Sequence, residues 1–186
     1  MTPRSLSRVA ASLGAIVLAA GTTPSAAQQD EASCILESLP SSVRQNLTET
    51  IAEADQAKSG AVIQESRPAI ATALSGCLQK YDWPQEKRPI VTKAFEYGLR
   101  LEASLIRLQA NGLRVEDVSA MFESLPASMH DAIFGQRPMT REEMEILETA
   151  FERVVEQLAG PDGNALSEYI TARAAYGFYS RQLVSD

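Results

Sequence analysis

The chain has 186 residues, 17 basic and 24 acidic side chains, a formal charge of −7, one histidine and two cysteines. A chain this acidic repels phosphate backbones and shows no basic stripe to overcome that, so nucleic acid is not an expected partner. A single histidine excludes a multi-histidine zinc site, and no apolar run reaches the roughly 20 residues of a membrane-spanning helix.

The first residues read as a leader rather than as part of the fold. Arg4 and Arg8 precede an apolar run from Val9 to Ala20, and the small residues Ser25-Ala26-Ala27 follow. Charged, apolar and then cleavable is the order of a secretory signal peptide, expected to span residues 1–27. The remaining stretch, 28–186, keeps 15 basic against 24 acidic residues, a charge of −9. Its length suits one domain, able to bury about two thirds of its unfolded surface. The expected compartment is the periplasm or the extracellular space. In that setting Cys34 and Cys77 are expected to form a disulfide. It would close a loop of about 44 residues, which the chain-entropy model values at about 4 kcal/mol.

Apolar residues recur at spacings of three and four with no sustained alternation at two, so the expected fold is all-α. In chain order, the first feature is a corner in ESLPSSVRQNL, residues 37–47. Proline disfavours helical geometry in the residue before it and fits the start of a new helix. Leu39-Pro40 should therefore end one helix and begin another, with Ser38 capping the second. Residues 55–67, DQAKSGAVIQESR, read as a mobile loop or a short extra helix. A helix near 68–81 should start at Pro68 and carry Ile70, Leu74, Cys77 and Leu78. The next, 89–110, carries Val91, Phe95, Gly98, Leu101, Leu105 and Leu108 on one stripe, with Gly98 admitting the close approach of another helix. A second corner follows at ESLPASMHDAI, residues 123–133, with Leu125-Pro126 and Ser124 in the same roles. In 141–158, Met144, Leu147, Phe151, Val154 and Leu158 form an apolar stripe, opposite Glu145, Glu148, Glu152 and Glu156. Thr140 with Glu143 makes a capping box at its start, and Gly160-Pro161 should stop it. The last helix, about 164–183, carries Leu166, Tyr169, Ala172, Tyr176, Tyr179 and Leu183.

The two corners are nearly the same text. Aligning 30–47 with 116–133 gives six identities in 18 pairs, where roughly one is expected by chance. With gaps the match continues, Thr72-Ala73-Leu74 over Thr149-Ala150-Phe151 and Ile90–Leu108 over Ala165–Leu183. The expected architecture is a helical bundle built from two related multi-helix units, an internal duplication, at about 30–110 and 116–184. The surplus of the first unit falls between residues 48 and 71. Ala120 lies over Cys34 and Val154 over Cys77, so those two residues should touch as an apolar pair.

Chemistry is thinly written. No catalytic, cofactor-binding or metal-ligating set is singled out, and no GxSxG, GxxxxGK[ST] or HExxH motif occurs. The repeated Glu37 and Glu123 could face one cleft as acid and base, but a carboxylate near a helix start is also simply favourable there. His130 lies over Arg44, which suggests a solvent-facing position. Tyr169, Tyr176, Phe178 and Tyr179 form the densest aromatic cluster, a candidate interaction surface. The functional expectation is an exported soluble helical protein acting as a non-catalytic module. It would bind a protein, a peptide or a small ligand, or self-associate, with no cofactor. The alternatives are a carboxylate-dependent hydrolase of cell-envelope material, with Glu37 or Glu123 as the acid, and a purely structural envelope protein.

Overall fold

The computed structural model describes residues 26–155 and 163–184. Most of the expected leader, residues 1–25, lies outside the described residues, as do Glu156, Leu158 and the Gly160-Pro161 stop. Among the described residues there is no strand. The helices are α1 (Ala26–Ser38), α2 (Ser41–Ala52), α3 (Gln56–Lys80), α4 (Arg88–Ala110), α5 (Val115–Glu123), α6 (Ala127–Ile133), α7 (Arg141–Val155) and α8 (Gly163–Val184), with one 3-10 turn at Gln85–Lys87. The all-α expectation holds.

The two longest apolar stripes pack on each other and form the centre. Lys87 Nζ donates to the Leu183 carbonyl at 2.7 Å, and Arg107 pairs with Glu168 at 2.6 Å, so α4 and α8 run antiparallel. Both helices bury far more than one stripe. On α8, Ala165, Leu166, Tyr169, Ile170, Ala172, Ala174, Ala175, Ser180 and Leu183 are all buried. A helix hidden on most of its circumference must have neighbours on several sides, and α1, α4 and α6 supply them. Gly98 sits where α1, α4 and α8 meet. A Cβ there would lie 2.7 Å from Leu36 Cδ1 and 3.4 Å from Tyr176 Cε2, so the close approach expected of this glycine is present.

Two apolar cores flank this pair. The first takes Ile35 and Leu36 from α1, Leu47 from α2, Leu74 and Leu78 from α3, and Val91, Phe95 and Leu99 from the front half of α4. The second takes Val118, Met121 and Phe122 from α5, Met129 from α6, Val154 from α7, and Leu166, Tyr169 and Ile170 from the front half of α8. Each core is completed by the far end of the other central helix, Leu183 in the first and Leu108 in the second.

Both ESLP segments form a corner of one geometry. Pro40 (φ −52°, ψ 135°) and Pro126 (φ −54°, ψ 133°) each stand just before a new helix. The Pro40 carbonyl accepts from Val43 N and Arg44 N, and the Pro126 carbonyl from Met129 N. The serines do not cap as expected. Proline itself takes the N-cap position, which leaves the residue two before it out of reach. Ser38 Oγ lies 3.9 and 3.8 Å from the sulfurs of Cys34 and Cys77, and Ser124 Oγ donates back to the Met121 carbonyl at 2.6 Å.

Cys34 and Cys77 are bonded, with Cα atoms 6.0 Å apart, and staple α1 to α3 in the first core. The residues aligned with them, Ala120 and Val154, behave differently. Val154 is buried, but Ala120 is exposed and stands outside the second core. The reason lies in neighbours: α1 is flanked by α3, α4 and α8, while the nine-residue α5 packs on α7 and α4 and turns only Val118, Met121 and Phe122 inward.

One helix start differs from expectation. Pro68 lies inside α3 rather than at its first turn. Asp55 accepts from Ala57 N and Lys58 N at 3.0 Å each, and this cap nucleates the helix 12 residues upstream of Pro68. The 55–67 surplus is therefore mostly helical. On α7 the capping box is present, Glu143 N to Thr140 Oγ1 at 3.2 Å and Thr140 N to Glu143 Oε2 at 2.9 Å. Met144, however, is 50% exposed, because α7 reaches the second core only through its later turns at Leu147, Ala150, Phe151 and Val154.

The single tryptophan, Trp83, belongs to the first core and stacks on Tyr81. Its fluorescence reports on that core. Replacing both Cys34 and Cys77 by serine should lower the unfolding free energy in urea by about 4 kcal/mol, and an unchanged midpoint would contradict the staple. Gly98→Leu should cost about 1–3 kcal/mol in the same assay, since overpacking at the three-helix contact outweighs the roughly 1 kcal/mol of helix propensity gained.

Candidate functional site

Grooves on the described surface include a smaller and a larger one. The smaller, about 490 Å³, lies between the α1–α2 corner and the later half of α4. Arg44 crosses it to Glu102, with Nε donating to Oε2 at 3.2 Å, and Thr48 Oγ1 donates to the same oxygen at 3.3 Å. The hydrogen bond that Arg44 donates to Glu102 raises the Arg44 pKa, so the guanidinium keeps its charge. One arginine, Arg44, stands in this groove against three glutamates, Glu37, Glu49 and Glu102. Glu37 lines it, exposed and accepting from Ser33 Oγ at 2.5 Å.

The larger groove, about 1000 Å³, is walled by α2, α3, α4 and the front half of α8. It exists because the early half of α3 leans on α2, where Ser59 Oγ donates to the Thr50 carbonyl at 3.2 Å, and stands away from α4. The surplus segment thus forms a wall, through Gln56, Ser59, Gly60, Ile63 and Arg67. Leu47, Phe95, Leu99, Ala103 and Ala172 form an apolar floor, and Ile63 is 39% exposed at the lip. Three arginines and two glutamates line the groove. Glu96 pairs with Lys93 at 2.7 Å and Glu168 with Arg107 at 2.6 Å. Among the described residues Arg67 makes no hydrogen bond or ion pair. Arg100 stacks its guanidinium 5.5 Å from the centre of the Tyr97 ring.

The aromatic residues of α8 divide. Tyr169 is 1% exposed, a core residue whose hydroxyl lies 3.3 Å from Ser119 Oγ, and so offers no surface. Its position on α8 faces α5, which the spacing along one helix does not reveal. Tyr176 is half-buried beside Gly98, and burial raises its hydroxyl to about 12. Phe178 and Tyr179, also half-buried, join Phe134 and Tyr97 in a cluster of four rings with centres 5.3 to 5.8 Å apart. Tyr97 belongs both to this cluster and to the larger groove, so the two features are continuous. Sequence reasoning missed Tyr97, Arg67 and Arg100. One signal was available: Tyr97 and Arg100 stand three apart on a helix and share a face.

Glu37 and Glu123 do not face one cleft. Both are exposed, and Glu123 lines neither groove. The corners that carry them lie on different cores, so repeating the corner separates the carboxylates. Among the described residues, no cluster of three or more His, Cys, Asp or Glu is placed to hold a metal ion, and no helix is long and apolar enough to cross a membrane.

His130 is not solvent-facing. Its ring stacks on Phe122 with centres 4.5 Å apart, and Nε2 is buried without a hydrogen-bond partner among the described residues. The Arg44 analogy fails because α6 lies against α8 and α5's Phe122, whereas Arg44 points into the smaller groove. Burial lowers its pKa first; Arg181 and Arg173 push the same way, and Asp131 opposes them. Comparison with protein-family models, curated proteins and solved structures returns no match for the chain.

The lowered His130 pKa has a definite sign. The unfolded chain takes up the proton near pH 6.5 while the native state resists it, so stability is full above 6.5 and falls as pH drops towards the native value. As the only histidine, it should dominate between pH 7.5 and 5.5. The melting temperature should fall across that range in the native protein and stay flatter in His130→Phe, which keeps a ring on Phe122. Parallel pH profiles would contradict this.

Proposed function

We propose that the protein is an exported, non-catalytic module that binds a ligand in the larger groove. The observation that carries this reading is the groove itself. Its volume is at the upper end of the roughly 300–1,000 Å³ of ligand pockets, its floor is apolar, and a few polar groups converge on its rim. One wall comes from the segment that the first unit has and the second lacks, and such surplus segments are where binding tends to collect. Export is supported by the leader-like start and by the disulfide, which persists in oxidising compartments.

The two units are proposed to be related copies. The two proline corners agree in backbone angles, and aligned positions are buried in both units: Ile35 and Met121, Leu39 and Leu125, Val91 and Leu166, Leu108 and Leu183. The exposed Ala120 departs from this correspondence. A hydrolase reading has less behind it. General acid work needs a carboxyl held protonated by burial, and Glu37 and Glu123 are both exposed.

A neutral solvatochromic dye such as Nile red tests the groove. Thr171 is exposed on the α8 wall, so Thr171→Trp should fill space without disturbing the core. Dye binding should weaken about tenfold or more with the melting temperature unchanged. Equal affinity for the native protein and the variant would remove the groove as the binding site.

A further inference from the structure

Resting on the reading of this groove as a binding site, we propose that its ligand is a free single-chain alkyl carboxylate. The argument starts from a local reversal of charge. The chain carries −7 overall, yet the groove is lined by Arg67, Arg100 and Arg107 against only Glu96 and Glu168. Both glutamates have cationic partners, Lys93 and Arg107. Arg67 on the α3 wall and Arg100 on the α4 wall have no acidic partner among the described residues, and both are exposed. A net-negative protein that leaves two guanidinium groups on the rim of this groove is matched to an anion with an apolar tail. Guanidinium suits a carboxylate because its paired N–H donors match the two oxygens.

The walls argue against an extended peptide. All four are helices, whose backbone donors and acceptors are paired internally, so a strand laid in the groove finds no edge to bond. The floor instead offers a strip of apolar lining residues, Leu47, Phe95, Leu99, Ala103 and Ala172, for a flexible chain. In this arrangement Arg67 and Arg100 hold the head at the rim and the alkyl chain lies on the strip. Nothing reacts, and the ligand leaves as it came.

Calorimetric titration with dodecanoate, 1-dodecanol and dodecyltrimethylammonium, each below its micellar concentration, separates head from tail. Dodecanoate should bind the native protein most tightly and the cation most weakly, and each added methylene should tighten binding roughly fourfold. In Arg67→Gln/Arg100→Gln, dodecanoate should lose about tenfold and fall to the affinity of the alcohol, which should not change. Thr171→Trp should weaken all three. If the three bind alike, or the double variant keeps its carboxylate preference, the assignment of the ligand is overturned while the groove remains a binding site. If none of them nor the neutral dye binds, both readings fall.

Discussion

The fold depends on one contact, the antiparallel pairing of α4 with α8 around Gly98. Small buried residues, Ala94, Gly98 and Ala103 on one helix and Ala172, Ala174 and Ala175 on the other, let two long helices lie close over their length. Their opposite ends then complete opposite cores, Leu108 in the second and Leu183 in the first. Neither group of surrounding helices closes its core without the far end of a helix from the other. This sharing makes the two halves one body and gives each central helix its unusually large buried circumference.

The larger groove follows from the same frame. With α4 and α8 fixed, α2 and the late half of α3 cover the first core, and the disulfide ties that late half to α1. The early half of α3 is left over. Its Asp55 cap makes it helical, its hydrogen bond to α2 sets its direction, and Ile63 and Arg67 line the groove from it. The result is an apolar floor with a polar lip, bordered on one side by the four-ring cluster through Tyr97. A protein could cover that floor with one more helix. Among the described residues no helix covers it, and arginines stand at its edge.

The repeated corner illustrates how a local rule and its surroundings part company. At both sites the proline dictates the same backbone turn, because its ring fixes φ and its carbonyl opens the next helix. What the corner holds differs. In the first core it is stapled by a disulfide and flanked by three helices, and Cys34 is buried. In the second, α5 is short and less enclosed, and the aligned Ala120 faces solvent. His130 and Arg44 diverge for the same reason: one stacks on Phe122, and the other pairs with Glu102 in an open groove.

Features written within a turn or two of chain were legible in the amino acids alone. Helical spacing gave the all-α class. The Thr140–Glu143 box was readable because its partners are three residues apart, and the Cys34–Cys77 bond because there were only two cysteines to pair. Gly98 was readable as a contact point, though not which helices meet there. Exposure was not legible. Tyr169 and Tyr176 share a stripe, yet one is core and the other borders the surface; Met144 begins an apolar stripe and faces water; Pro68 suits a helix start and lies inside one. The groove and its arginines belong to the same class, since they arise where four helices from distant stretches of chain fail to meet. Spacing along a helix says which side chains share a face, but only packing decides what that face meets, because burial depends on neighbours far away in sequence.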